Sequence, residues 1–175
     1  MAKFSSLYIC CSLIFNIQLL FLSLQTHGAA VDDVCRQTVD PAFCQQCFNI
    51  DPRSATAAPP MLGQIAVQWA AHYGGNTKID MHEAMMSAAD PAVKNQYSQC
   101  IDLYQTALEH FQAAPGELNS NAWGVLRKNA ESIRAGVDAC EAVFNHNAPA
   151  EVANTDKLVG IFADALAIIA RSFGG

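Results

Sequence analysis

The chain has 175 residues, 51% of them hydrophobic and 15% charged, with ten Lys and Arg against sixteen Asp and Glu. That length suits one ordinary domain. An acidic balance with no basic stripe argues against nucleic acid and anionic membrane surfaces as partners.

Residues 1–30 read as a targeting segment. Lys3 is the only charge before Asp32, Leu7 to Leu24 is mostly apolar, and small residues follow in His27-Gly28-Ala29-Ala30. A positive start, an apolar middle and a small-residue exit are the parts of a secretory signal peptide, cleaved after Ala30 or one or two residues earlier. The competing reading is a retained anchor, because the run approaches the roughly 20 residues that span a bilayer. Asn16 and Gln18 interrupt it and favour cleavage. Lys3 leaves with the signal, so nine cations and sixteen acids remain on the mature chain, a net charge of about −7. No Asn-x-Ser/Thr sequon occurs.

The mature chain is expected to be all-α, since no sustained apolar/polar alternation of a half-buried strand occurs. Val31 to Ile50 suggests two short helices, the second launched by Asp40-Pro41, an N-cap with proline at the first helical position. After Asp51-Pro52-Arg53-Ser54, a helix from about Thr56 or Pro60 to Tyr73 is expected to stop at Gly74-Gly75. Another follows from about Thr77 to Ala89. Asp90-Pro91 repeats the cap signature and opens a helix carrying Val93, Tyr97, Cys100, Tyr104 and Phe111 on one face. Pro115-Gly116 is expected to end it. Trp123, Leu126, Ala130, Ile133, Val137, Cys140 and Phe144 then form a heptad seam. The last helix, announced by Asn154-Thr155-Asp156, presents Leu158, Ile161, Phe162, Ala165, Ile168 and Ile169 before Gly174. Long amphipathic helices with short connections specify an antiparallel four-helix bundle.

Five cysteines survive signal removal: Cys35, Cys44, Cys47, Cys100 and Cys140. In a secreted chain they are expected to form disulfides, leaving one thiol over. Cys100 and Cys140 lie on the apolar faces of successive antiparallel helices, which places the turn between them at residue 120, in Asn119-Ser120-Asn121. That cluster favours turns and N-caps, so geometry and turn chemistry agree on a Cys100–Cys140 staple. Cys35 could reach either Cys44 or Cys47, which share a helix face, and spacing does not choose. Zinc is disfavoured because Cys44-Gln45-Gln46-Cys47 has no matching second pair. A redox role lacks the surrounding βαβ pattern.

No Gly-x-Ser-x-Gly elbow, Walker loop or His-Glu-x-x-His occurs. His72, His82, His110 and His146 stand at no metal-ligand spacing, and Asp102 and Glu109 read as solubilising helix acids. The sequence therefore shows no catalytic centre, metal site or cofactor site. A lipid-transfer carrier would need eight cysteines with adjacent and one-apart pairs, and the only adjacent pair, Cys10-Cys11, falls in the signal.

Cys35-Arg-Gln-Thr-Val-Asp-Pro-Ala-Phe-Cys44 resembles the opening Cys-x₈-Cys of the plant pectin methylesterase and invertase inhibitors. Asp51-Pro52-Arg53-Ser54 is similar to that family's Asp-Pro-x-Ser joint. Cys100 and Cys140 reproduce its second cysteine spacing, and Cys140-Glu-Ala-Val-Phe144 is close to its Cys-Glu-Asp-x-Phe. The likeness runs from about Cys35 to Phe173, and the Asp-Pro-Arg-Ser form looks like members known as plane-pollen allergens. It implies a signal peptide (1–30) and one inhibitor domain (31–175), with a helical hairpin (31–51) before a four-helix bundle (54–174). It also implies the pairs Cys35–Cys44 and Cys100–Cys140, with Cys47 a free buried thiol.

The implied function is that of a non-enzymatic, secreted inhibitor of the cell wall or apoplast, forming a one-to-one complex with pectin methylesterase or acid invertase. The vacuole is the implied compartment if the target is a vacuolar invertase. Invertase-directed members can carry a Pro-Lys-Phe tripeptide that this chain lacks, and the Lys-rich, Tyr-containing segment before the fourth helix is replaced by Pro115 to Asn119. The first departure leans the reading towards pectin methylesterase. A secreted helical binding or signalling protein without an enzyme target is the third reading. On the solvent faces of the second and third bundle helices, Asp80, Glu83, Asp90, Lys94, Gln96 and Gln99 are the candidate partner-binding residues.

Overall fold

A computed structural model describes residues 28–174. Most of the signal segment lies outside the described residues. Six α-helices follow in order: α1 (Ala29–Cys35), α2 (Pro41–Asn49), α3 (Pro59–Ser87), α4 (Pro91–Asn119), α5 (Trp123–Val143) and α6 (Ala150–Gly174), with a 3₁₀ turn at Pro52–Thr56 between α2 and α3. No strand occurs among the described residues. Because α1 begins at Ala29, a signal cut after Ala30 would fall inside its first turn, whereas a cut before Ala29 would leave it whole.

Helices α3 to α6 form an antiparallel bundle in which α3 packs on α4, α4 on α5, α5 on α6 and α6 back on α3. The α1–α2 hairpin lies against α6. Its Phe48 meets Phe162 edge to face at 5.4 Å. Covered by α3, α5 and the hairpin, α6 is buried almost all round from Val159 to Ala170. Such an all-round apolar helix belongs at the centre of a core rather than at its edge.

Local chemistry sets the elements. Asp40 accepts the Phe43 N–H at 3.0 Å and so caps α2, and its other oxygen pairs with Lys157 Nζ at 2.9 Å. That ammonium also lies over the Phe43 ring, 4.1 Å from its centroid. Asp51, 5% exposed, opens the 3₁₀ turn. It accepts from the Arg53 backbone N–H and guanidinium and from the Trp69 indole at 3.1 Å. The Arg53 guanidinium holds the Asp51 carboxyl well below the usual carboxylate range. One buried carboxylate thus ties the hairpin exit to α3.

Two expected breaks are absent. Helix α3 runs through Gly74-Gly75 without a stop. Gly74 is buried, and a Cβ there would lie 3.5 Å from Leu108 and 3.6 Å from Tyr104 of α4. Packing of Ala70, Gly74, Thr77 and Met81 outweighs the roughly 1 kcal/mol that each helical glycine costs. The two expected helices, 56–73 and 77–89, are therefore one. Likewise α4 runs through Pro115 to Asn119, because Ala114 and Leu118 on either side are buried in the core. It ends with Asn121 in the left-handed region (φ 56°), and the Ala122 N–H bonds back to Glu117 O at 2.8 Å, a Schellman closure. That turn sits within a residue of the centre placed by the two cysteines. Helix α6 begins at Ala150, one turn before the expected Asn154.

Gly75 offers a direct check on this account. A Cβ there meets nothing within 4 Å, so Gly75→Ala will raise the unfolding free energy by about 0.5–1 kcal/mol. Urea denaturation measures it, and a loss of stability would show that the helix is strained at this point.

Candidate functional site

The outer face between α3 and α4 carries a groove of mainly apolar lining. Gly75, Lys78, Ile79, His82 and Glu83 of α3 and Ile101 and Leu108 of α4 line it, around a volume of about 480 Å³. Ile79 is 59% exposed, and Met86, further along α3, is 68% exposed. The rim is polar: Lys78 Nζ donates to Gln105 Oε1, and the Gln105 amide donates to Glu109 at 2.8 Å. An apolar strip inside a polar, hydrogen-bonded rim is the anatomy of a protein-binding surface.

The floor of this groove is rigid for reasons visible in the sequence. Tyr97, Cys100, Tyr104, Ala107 and Phe111 recur at three- and four-residue spacing on the buried side of α4. The Cys100–Cys140 disulfide ties α4 to α5, with Cα atoms 4.8 Å apart. Around it pack Met81, Tyr97, Tyr104, Phe144 and Val152, with Tyr97 and Phe144 edge to face at 5.3 Å. Behind the groove, the Tyr104 hydroxyl donates to Asp156 Oδ1 of α6 at 2.5 Å, and Thr77 and Thr155 share a hydroxyl contact at 2.8 Å.

Of the six residues chosen from sequence, the groove takes in Glu83 alone. Asp80, Lys94 and Gln99 are exposed but line no part of it. Asp90 caps α4, accepting the Ala92 N–H at 2.8 Å. Gln96 is half-buried and its amide donates to Val143 O at 3.0 Å, which makes it a clasp between α4 and α5. The apolar members Ile79, Ile101 and Leu108 were not among the candidates. Their signal was available: Ile79 falls off the stripe formed by Ala70, Gly74, Thr77 and Met81, so an outward-facing apolar residue could have been read from helical spacing.

The hairpin disulfide joins Cys35 to Cys44, with Cα atoms 5.4 Å apart. Cys47 is free and buried, and burial pushes its thiol up to about 11. A thiol so far from ionisation is no nucleophile. No group of three or more His, Cys, Asp or Glu among the described residues is placed to hold a metal ion. No described helix is long and apolar enough to cross a membrane.

Comparison with known proteins agrees with this picture. Residues 29–168 match the family described as plant invertase/pectin methylesterase inhibitor. The chain is 25% identical over 155 residues to a pectinesterase inhibitor of Actinidia deliciosa, covering 87% of this chain and 84% of that protein. It is 26% identical over 140 residues to a Platanus acerifolia protein provisionally named an invertase inhibitor, covering 77% and 78% respectively. The fold superposes on the crystal structure of a mutant form of a pectin methylesterase inhibitor from Arabidopsis with a TM-score of 0.73 and 20% identity, over 80% of this chain and 94% of that one. With the stapled bundle, the capped hairpin and a family match spanning most of its length, the chain belongs to the plant invertase/pectin methylesterase inhibitor family.

Proposed function

We propose that the mature protein is a secreted inhibitor that binds pectin methylesterase one to one and blocks access to its active site. In this reading it acts in the cell wall, delivered there by the segment at residues 1–30. The observation that carries it is family membership over residues 29–168, together with likeness to the Actinidia pectinesterase inhibitor along most of both chains. The groove between α3 and α4 is the contact face in this reading. It combines exposed Ile79 with a polar rim on a disulfide-braced floor, and a rigid surface loses little freedom on binding. Acid invertase is the second reading, favoured by the likeness to the Platanus protein.

A paired assay separates the two. Protein folded under oxidising conditions is titrated against pectin methylesterase and acid invertase between about pH 4.5 and 7, a range that runs from just above the ordinary carboxylate values to just above that of histidine. Inhibition of the first alone, saturating at one equivalent, is the expected result. Inhibition of neither refutes the reading. Ile79→Glu will raise the inhibition constant at least tenfold, about 1.4 kcal/mol or more, with no loss of thermal stability. An unchanged constant would move the contact face elsewhere.

A further inference from the structure

The chain is acidic overall, yet its cations are unevenly used. Among the described residues, Arg36 pairs with Asp33, Arg53 with Asp51, Arg134 with Asp138, and Lys157 with Asp40. Five of the nine described Lys and Arg make no such pair, and three of those, Arg127, Lys128 and Arg171, stand exposed at one end of the bundle. Arg127 and Lys128 lie in the second turn of α5, and Arg171 lies in the last turn of α6. Glu131 follows a turn later on α5 without pairing with any of them.

Between these cations sits an aromatic pair. Trp123 and Phe173 stack at 5.1 Å with an interplanar angle of 27°, and Phe173 remains 47% exposed. Gly174 permits this arrangement: a Cβ there would lie 2.9 Å from Trp123 Cβ. Arg127, Arg171, Trp123 and Gly174 line a cleft of about 300 Å³. It adjoins a shallower hollow lined by Lys128 and Val125, the latter 51% exposed. Three cations that make no salt bridge surround an open aromatic stack, with Arg171 near enough to Asp164 to stabilise its carboxylate. The core is closed without them, and in a chain of net negative charge they create one local site of opposite sign.

We propose that this end of the bundle binds an anionic polysaccharide of the polyuronate class, with sugar rings against the Trp123–Phe173 stack and their carboxylates on Arg127, Lys128 and Arg171. Each unit of a polyuronate offers what the site is built for: an apolar C–H face for an aromatic ring and a carboxylate for a guanidinium fork. A phosphate polymer fits less well. Its affinity rests on neutralising many closely spaced charges, and three cations backed by an acidic surface supply few. Its placement in the wall rests on the secreted-inhibitor reading, but the binding itself does not. The site lies at the end of α5 and α6, apart from the α3–α4 groove, so a tethered molecule keeps that face open.

The test uses the full mature protein and an unesterified decagalacturonate, read by calorimetry and by quenching of tryptophan emission. Binding is expected at low salt and weakens as salt rises. Quenching should persist in Trp69→Phe and vanish in Trp123→Phe. R127E/K128E should weaken binding at least tenfold, Phe173→Ala should weaken it measurably, and Ile79→Glu should leave it unchanged. Equal affinity for the fully methyl-esterified oligomer, for single-stranded DNA of matched length, or in R127E/K128E overturns the proposal, as does no binding at low salt. Inhibition of pectin methylesterase without oligouronate binding sinks this inference alone. Binding without inhibition supports it and sinks the other reading.

Discussion

Replacing Cys100 and Cys140 together by alanine will lower the unfolding free energy by about 3–4 kcal/mol through the lost constraint on the unfolded chain, with a further loss from the space left in the core. The bond closes a loop of sequence separation 40, so its removal frees a long stretch of denatured chain. Both cysteines are fully buried amid Met81, Tyr97, Tyr104 and Phe144, where neighbours cannot collapse freely onto a void. The hairpin bond provides the comparison. It spans only nine residues, and the same entropy relation gives about 2.7 kcal/mol for a loop of that size. C35A/C44A should therefore cost less than C100A/C140A, and Cys47→Ala, which breaks no bond, should cost least. Urea denaturation of the three variants orders them. An unchanged midpoint for C100A/C140A would show that the α4–α5 contact is held by packing alone.

Such a difference is large beside a typical stability of roughly 5–15 kcal/mol, and it bears on function through one element. Helix α4 forms one wall of the groove and carries Cys100, Tyr104 and Leu108 within two turns. Loosening the staple frees the wall that presents Ile101 and Leu108. A loss of inhibition in C100A/C140A that exceeds its loss of folded protein would reveal that coupling.

Much of this was legible in the sequence because it depends on periodicity. The buried residues of α5, from Leu126 through Ala130, Ile133, Val137 and Cys140, are those of the heptad seam, and the two cysteines place the α4–α5 turn. The glycine pair and Pro115 misled because local propensity is worth about 1–3 kcal/mol per residue, while the faces of α3 and α4 continue buried past them, at Thr77 and Met81 and at Leu118. The candidate groove was less legible. Asp80 and Gln99 were selected for polarity, a property shared by every solvated helix face, whereas the groove owes its character to Ile79, Ile101 and Leu108. Which exposed apolar residues of two helices line one groove depends on their relative rotation, and that is set by contacts such as Gly74 against Leu108. The cationic end was hidden for a different reason: Arg127 and Lys128 are more than forty residues from Arg171, and net charge averages them away.

Asp156 should make this protein lose stability as pH rises from about 4 to 7, opposite to the usual behaviour of a carboxylate in an ion pair. It is 1% exposed and accepts the Tyr104 hydroxyl, while its second oxygen has no partner. Burial pushes its carboxyl up to about 7; the Tyr104 bond opposes that rise, and Glu141 and Asp138 of α5 add to it. The unfolded chain releases this proton near 3.8, so between the two values the folded state holds more protons. Its stability then falls with a limiting slope of about 1.4 kcal/mol per pH unit. Below the window both states are protonated and the contribution is whole; above it the full cost, about 4 kcal/mol on the same slope, has been incurred. Asp40 and Asp51, both held low by cationic partners, add a small opposing rise just above their unfolded value of 3.8 and a nearly constant amount above about pH 5, whereas Asp164 and Glu117, raised by burial, act in the same direction as Asp156. Asp156→Asn keeps an acceptor for Tyr104 and removes the titration. Measured by urea denaturation, the stability of D156N relative to the wild type should therefore rise by about 3–4 kcal/mol between pH 4 and pH 7.5. A difference independent of pH would mean that the carboxylate is ionised in the folded protein throughout, and that the polar contact behind the α3–α4 groove is a buried anion.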